Sequence, residues 1–163
     1  MKTRLFIRIF STYLILIVLV LAVLDFLFLP HLQDTLTRGF TDKMVGHGKI
    51  IATMPQSEIR GRIKDLAAFA DSRITLIDPP GWVKADSEAD VKDMDNHLNR
   101  SEVQEARIKG RGTAVRYSRT LQENMLYVAI PIMDDSKIAG YIRLARPLRE
   151  VRESIERAYR SLY

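Results

Sequence analysis

The stretch from Ala85 to Arg100, ADSEADVKDMDNHLNR, concentrates side chains that could do chemistry in this 163-residue sequence. Its five carboxylates and one histidine could bind a metal ion, and two opposed carboxylates could act as the acid and base of a hydrolase. A calcium loop of the EF-hand type is excluded by two positions. Leu98 stands where the sharp turn needs glycine, and Gln104 stands where the last ligand should be glutamate.

A transition-metal site in the same stretch would have to begin with Asp93 and His97, which lie four residues apart and would share one face of a helix. Two ligands are too few, and the other histidines, His31 and His47, belong to other segments. A hydrolase would need an opposed base held in a cleft, which one sequence does not specify. We therefore expect a solvated loop whose Asp, Ser and Asn side chains cap turns, and a membrane-anchored metal-dependent enzyme is the weaker alternative.

The charged residues argue against two further classes of function. The chain has 25 Lys and Arg against 20 Asp and Glu, a formal net charge of +5, and no cysteine. Its Arg-rich segment 143–160 is interleaved with Glu150, Glu153 and Glu156, which is typical of a solvated helix face and not of a nucleic-acid surface. Without cysteine, neither disulfides nor thiolate metal ligands are available. We expect no nucleic-acid partner, no metal and no cofactor.

A long apolar run near the N-terminus predicts a membrane anchor. From Ile9 to Leu29 only Asp25 is charged, and at about 1.5 Å per residue such a helix spans roughly 30 Å, the thickness of the hydrocarbon core. The run is too long for a cleaved signal peptide, and no small-residue cleavage site follows it. We expect residues 1–30 to form a cytoplasmic tip and membrane helix, with the rest outside the membrane, because basic residues precede the run at Lys2, Arg4 and Arg8.

Apolar periodicity predicts the elements that follow the anchor. Helical spacing predicts one helix over Gln33–Met54 that ends before Pro55. It predicts a second helix over Ser57–Ala70, with Ser57 as its N-cap and Phe69 or Ala70 on its buried face. The remaining elements are a hairpin of two strands around Pro79-Pro80-Gly81, a helix over Glu102–Lys109 closed by Gly110, and three strands over Thr113–Leu121, Met125–Ile132 and Ile138–Ala145.

This order of elements predicts an α+β fold of PAS-like type, with a five-stranded antiparallel sheet, a long N-terminal helix and a C-terminal exit helix. Met125–Ile132 is apolar on both faces, so we expect it to lie inside the sheet. The predicted domain covers residues 31–147, and residues 148–163 form the exit helix, which we expect to lead toward a second membrane span outside this chain. Apolar residues recur in that helix at the spacing of a coiled-coil seam, at Leu148, Val151, Ile155, Ala158 and Leu162.

Several short motifs follow one another in a fixed order between residues 73 and 151. They are RITLID at 73–78, ADSE at 85–88, MDNH at 94–97, EVQEA at 102–106, RYS at 116–118, MLYVAIP at 125–131 and GYIRLARPL at 140–148. Together they resemble the extracytoplasmic sensor region of membrane sensor histidine kinases of the phosphate-regulon type, the PhoR-like kinases. The chain departs from that pattern at Ser101, where proline is usual, and at Pro79-Pro80, where a polar turn is commoner.

The resemblance implies an extracytoplasmic PDC or Cache-type sensor domain in the inner membrane of a bacterium, within a two-component signal transduction system. It implies no catalytic residues in this chain, because the phospho-accepting histidine and the ATP-binding domain of such kinases are not matched here. His47 lies in the sequence GHGK, which lacks the residues that follow a phospho-acceptor and is not a P-loop. A sensor domain of another receptor, such as a chemoreceptor or a cyclase, is the alternative.

Two sets of residues are candidates for the signalling function. Arg116 and Arg143 lie on strands, out of phase with their apolar neighbours, and Tyr127 lies on the strand between them. If they face a cavity under the segment that carries Asp86 and His97, they could bind a small anionic ligand, since arginine binds carboxylates in a bidentate manner. The alternatives are that the arginines pair with nearby acidic residues, or that the partner is an extracytoplasmic protein.

The second set is a helical seam that we expect to bring two copies of the chain together as a homodimer. In such a dimer, the first helix and the exit helix of both subunits would form a bundle next to the membrane, and binding would shift its packing. The expected seam residues are Leu36 and Phe40 on the first helix, with Val151, Ile155 and Ala158 on the exit helix.

Overall fold

The computed structural model describes residues 2–118, 122–150 and 153, and for residues 2–9, 25, 26 and 28–37 it describes the backbone alone. The chain divides into two compact units, residues 1–38 and residues 39–163. The predicted exit helix lies almost wholly outside the described residues, although residues 148–150 are helical.

Helix α1 runs without interruption from Lys2 to Ala52. It includes the residues of the predicted anchor and most of the helix predicted over Gln33–Met54, and it ends at Ala52, two residues before the predicted end at Met54. In the first unit, all side chains from Phe10 to Leu24 are exposed. Among the described residues, no helix has both the length and the apolarity that a membrane crossing requires.

The helix predicted over Ser57–Ala70 is in fact two helices, α2 (Gln56–Gly61) and α3 (Ile63–Ala70), that meet at Arg62. The N-cap prediction was wrong, because α2 begins at Gln56 with Pro55 before it and without a side-chain cap. Ala70 takes the buried position, and Phe69 is exposed, with its ring centroid 4.9 Å from that of His47. Pro55 takes part through its backbone, because its carbonyl oxygen accepts from the N–H of Ile59 at 3.0 Å.

Five strands form the antiparallel sheet that the sequence predicts. They are β1 (Arg73–Ile77), β2 (Val83–Asp86), β3 (Gly112–Ser118), β4 (Glu123–Asp134) and β5 (Lys137–Pro147), in the order β2-β1-β5-β4-β3. The apolar strand β4 lies inside the sheet as predicted, with β5 at its centre. Helix α4 (Ser101–Lys109) ends at Gly110, which adopts the left-handed conformation expected of a helix-closing glycine.

The two faces of the sheet are covered differently. One face packs its aliphatic side chains against α1, α2 and α3 in the main hydrophobic core, which includes Met44, Ile51, Ile59, Leu66, Val128 and Leu144. The other face, called here the α4 face, carries two small apolar clusters, one of which includes Val103 and Ala106 of α4. Because side chains alternate along a strand, the residues between the aliphatic ones all point to the α4 face, and several of them are polar.

Candidate functional site

Polar side chains from different strands meet on the α4 face of the sheet. Arg143 lies on the central strand β5, directly opposite Thr75 of β1 and Ala129 of β4. Its neighbours Ile142 and Leu144 point into the main core, so Arg143 must point the other way. Only 5% of Arg143 is exposed, and an arginine so deeply buried needs a counter-charge.

Glu102 of α4 supplies that counter-charge and pairs with two arginines at once. Its Oε1 lies 3.2 Å from Nη2 of Arg116 on β3 and 3.7 Å from Nη1 of Arg143. Glu102 is fully buried, whereas the side chain of Arg116 is 30% exposed. These three groups are called here the arginine–glutamate cluster. Because it contains two arginines and one carboxylate, the cluster has one excess positive charge. The partly exposed Arg116 is the member of the cluster that reaches solvent.

Tyr127 of β4 forms the floor of this cluster. The guanidinium carbon of Arg116 lies 4.1 Å from the centre of the Tyr127 ring, and that of Arg143 lies 5.1 Å from it. Both distances are within the range of cation–π attraction. Burial lowers the pKa of Arg143 to about 10 although the Glu102 carboxylate acts in the opposite direction, so at neutral pH the guanidinium stays charged.

A second buried carboxylate extends the polar network toward the edge strand β2. Arg143 donates to the Thr75 hydroxyl at 3.4 Å, and that hydroxyl donates to Asp86 at 2.7 Å. Asp86 also accepts from Nε of Arg73 at 3.0 Å and from the backbone N–H groups of the two residues after Ser87. Burial alone would raise the pKa of Asp86, but these hydrogen bonds and the charge of Arg73 lower it. Asp86 is therefore held ionised as a structural anion.

His97 is buried near the end of the stretch from Ala85 to Arg100. Its Nδ1 is 2.7 Å from the carbonyl oxygen of Asp95, which can only accept, so Nδ1 carries the hydrogen and Nε2 is left as an acceptor. Burial and the charge of Arg143 lower the pKa of His97 to about 4. At neutral pH the ring is uncharged, and it adds polarity without adding charge.

The acidic stretch that holds Asp86 and His97 acts mainly through local capping, as the sequence predicts. Asp90 caps the 3-10 turn Val91–Asp93 by accepting from the N–H of Lys92. Asn96 accepts from the N–H of Leu98 and donates to Pro80. Asp93 therefore lies in a three-residue turn that ends before His97, and the two do not share a helix face. The described residues contain no group of three or more side chains suited to hold a metal ion.

The structure brings the five predicted ligand-site residues into one region. Arg116, Tyr127 and Arg143 are in direct contact, Asp86 joins them through Thr75, and the charge of Arg143 acts on His97. The sequence left open whether the arginines bind a ligand or pair with acidic residues, and both do pair with Glu102.

Glu102 and Thr75 were not predicted as members of the site. Glu102 lies one turn before the buried Ala106 and next to the buried Val103. A carboxylate on the apolar face of a helix is a signal that the sequence offers, since such a group must find a partner when it is buried.

The predicted seam residues are almost entirely beyond the described part of the chain. The side chain of Leu36 and the whole of Val151, Ile155 and Ala158 lie outside the described residues. Phe40 is half-buried, and its ring centre is 5.8 Å from the guanidinium carbon of Arg146, which is a contact within the same chain.

A family model described as Single Cache-like matches residues 38–147, which is more than half of the chain. The chain belongs to this Single Cache-like family. The matched segment contains the whole sheet, α4 and the arginine–glutamate cluster. Residues 38–147 are therefore a Cache-type sensor domain, as the resemblance to sensor kinases implied.

Solved structures share this Cache fold at low sequence identity. The DcuS sensor domain of Escherichia coli aligns with a TM-score of 0.61 and 16% identity, over 76% of this chain and 99% of that domain. The sensor domain of the Vibrio cholerae histidine kinase DctB aligns with a TM-score of 0.53 and 13% identity, over 76% of this chain. The ligand-binding domain of the Pseudomonas aeruginosa amino acid chemoreceptor PctC, in complex with GABA, aligns with a TM-score of 0.56 and 14% identity, over 74% of this chain.

This chain spans 59% of the DctB structure and 56% of the PctC structure. Among curated proteins, none matches its sequence.

Proposed function

We propose that this chain is the extracytoplasmic sensing module of a membrane sensor histidine kinase of the PhoR-like type, and that it binds a small anion at the arginine–glutamate cluster. The observation that supports an anionic ligand is the placement of Arg116 and Arg143 over Tyr127, with one positive charge in excess. Arginine donors over an aromatic floor recognise carboxylate or phosphate groups well. That PctC holds GABA, a molecule with a carboxylate, in the same fold supports a small-molecule ligand.

The test uses the full 163-residue chain in a mild detergent, with unfolding followed by fluorescence of its single tryptophan, Trp82. Sodium succinate, sodium phosphate and sodium acetate are compared with sodium chloride at equal ionic strength. We expect at least one of the three anions to raise the unfolding temperature of the wild type and not of Arg116→Ala. Arg111→Ala is the control, because Arg111 is exposed and lies outside the cluster, 3.9 Å from Asp42. No anion-specific shift would contradict the proposed ligand.

The membrane anchor is also part of this proposal. The apolar sequence from Ile9 to Leu29, preceded by basic residues, supports a helix with its N-terminus in the cytoplasm. Cysteines introduced at residues 3 and 60 of the full chain provide the test in intact cells. An impermeant thiol reagent should label position 60 and not position 3, and the reverse pattern would refute the orientation.

A histidine kinase and the alternative, a chemoreceptor, differ in the domains that accompany the sensor domain. Both classes are represented among the structures with this fold, so the fold does not separate them. We expect the gene to encode, after residue 163, a dimerisation helix with a phospho-accepting histidine. A methyl-accepting coiled coil in that place would favour the chemoreceptor.

We also propose that the receptor is a homodimer joined by the seam that the sequence predicts. Cysteines at Ile155 and Ala158 should form crosslinks between subunits in membranes, while a cysteine at the charged position Arg152 should not. Crosslinks at Arg152 alone would contradict the predicted seam and indicate that the subunits meet through the charged face of the helix.

A further inference from the structure

The arginine–glutamate cluster has the arrangement of an anion site that is already filled. The Glu102 carboxylate is clamped between the guanidinium groups of Arg116 and Arg143 at 3.2 and 3.7 Å. Among the described residues, its one other polar contact is with the Ser101 hydroxyl, which lies 3.4 Å from Oε2. A ligand carboxylate would use the same two guanidinium groups, because these are the cluster's cationic donors.

The arginines keep binding capacity that Glu102 does not use. Nε of Arg116 and Nε of Arg143 are buried and have no hydrogen-bond partner within the described residues. Each guanidinium carries five N–H groups, and one carboxylate has only two oxygens with which to accept. Donors therefore outnumber acceptors around Glu102. An external anion can use the remaining donors and compete with Glu102 for the two arginines.

Helix α4, which carries Glu102, packs against β3, β4 and β5 on the α4 face of the sheet. The helix is nine residues long and packs through Val103 and Ala106 onto Ala129 and Tyr141. It ends at Gly110, where the left-handed backbone lets the chain turn into β3. Because Glu102 is fully buried, we expect its carboxylate to leave the arginines only when α4 moves.

We propose that Glu102 is an internal carboxylate ligand of the Arg116–Arg143 pair, and that an external anion exchanges with it and displaces α4. This inference rests on the proposed anion site, but it assigns Glu102 a separate role. Glu102 sets the affinity, because an external anion has to compete with a carboxylate that is tethered in place. It also links binding to movement, because Glu102 cannot leave without α4.

The first test is chemical rescue in the full chain with Glu102→Ala, which leaves two arginines around the volume of a small carboxylate. We expect its unfolding temperature to fall, and to recover in sodium acetate but not in sodium chloride at the same ionic strength. Glu105→Ala is the matched control. Glu105 lies on the same helix and pairs with Lys109 and the Thr113 N–H, but it does not contact the two arginines. Its loss of stability should not respond to acetate. A Glu102→Ala variant that acetate does not rescue overturns the inference.

The second test compares affinities and does not depend on Glu102→Ala folding. Glu102→Gln keeps the shape of the side chain and removes its charge. Succinate should bind this variant about tenfold more tightly or better than the wild type, because no internal anion competes. Equal affinities would overturn the inference. Failure of the proposed function looks different: no anion would stabilise the wild type, while acetate would still rescue Glu102→Ala.

Discussion

The backbone N–H of His97 donates a 2.8 Å hydrogen bond to the carbonyl oxygen of Gly81. This bond docks the end of the acidic stretch onto the turn between β1 and β2, and Asn96 reinforces it by donating to Pro80 at 2.9 Å. The same stretch is fixed at its start by Asp86. This stretch is thus held at both ends, and each end can be tested by substitution.

Gly81→Ala should detach the far end of this segment. Gly81 has a φ of +96°, and a Cβ added there would lie 2.5 Å from Cβ of Leu98 and meet the Asn96 amide. We expect a loss of about 2–4 kcal/mol in the free energy of unfolding, because backbone strain and a clash add. Urea unfolding followed by Trp82 fluorescence measures it. Gly110→Ala is the control, because its φ is +74° but the space around it is open. It should cost about 1 kcal/mol, and equal losses at the two sites would contradict the docking.

Asp86→Asn should loosen the near end of the segment. The Asp86 side chain is fully buried and accepts from Arg73, from Thr75 and from two backbone N–H groups. An amide cannot serve all of these donors and leaves Arg73 without its close counter-charge, so we expect a loss of about 2–4 kcal/mol. Asp93→Asn changes an exposed carboxylate of the same stretch and should stay within about 0.5 kcal/mol of the wild type. Similar effects of the two variants in urea unfolding would argue against this role of Asp86.

The sequence was sufficient to predict the features that depend on residues close together in the chain. The strands, the closure of α4 by Gly110 and the side of the sheet on which Arg116 and Arg143 lie all follow from alternation and turn chemistry. The pairing of these arginines could not be predicted, because it depends on where α4 docks. That position is set by contacts such as Gly112 against the backbone of Glu102, between residues ten positions apart. The break at Arg62 was missed for a related reason, since packing onto the sheet overrides a continuous helical pattern.

Helix α1 packs closely onto β4 at Gly48. A Cβ added to Gly48 would lie 2.8 Å from Cγ1 of Ile130, so Gly48→Ala should overpack this contact and cost about 1–3 kcal/mol. Gly46→Ala is the matched control two residues away, where nothing lies within 4 Å of the added atom. It should stabilise the chain by about 0.5–1 kcal/mol, because alanine favours a helix over glycine. Thermal unfolding of the two variants should move in opposite directions, and a shared direction would be inconsistent with the packing described.

Acid should destabilise the folded chain through protonation of His97. Its pKa in the folded chain is about 4, below the ordinary value of 6.5, because burial and the charge of Arg143 disfavour the protonated ring. The unfolded chain therefore binds the proton more tightly. The contribution of His97 to stability is complete above about pH 6.5 and is lost as the pH falls toward 4, by about 3 kcal/mol in total. Urea unfolding of the full chain across this range measures the loss. His97→Gln should flatten the curve, while His47→Gln, on α1, should keep it. A slope that persists in His97→Gln would assign the acid sensitivity to other groups.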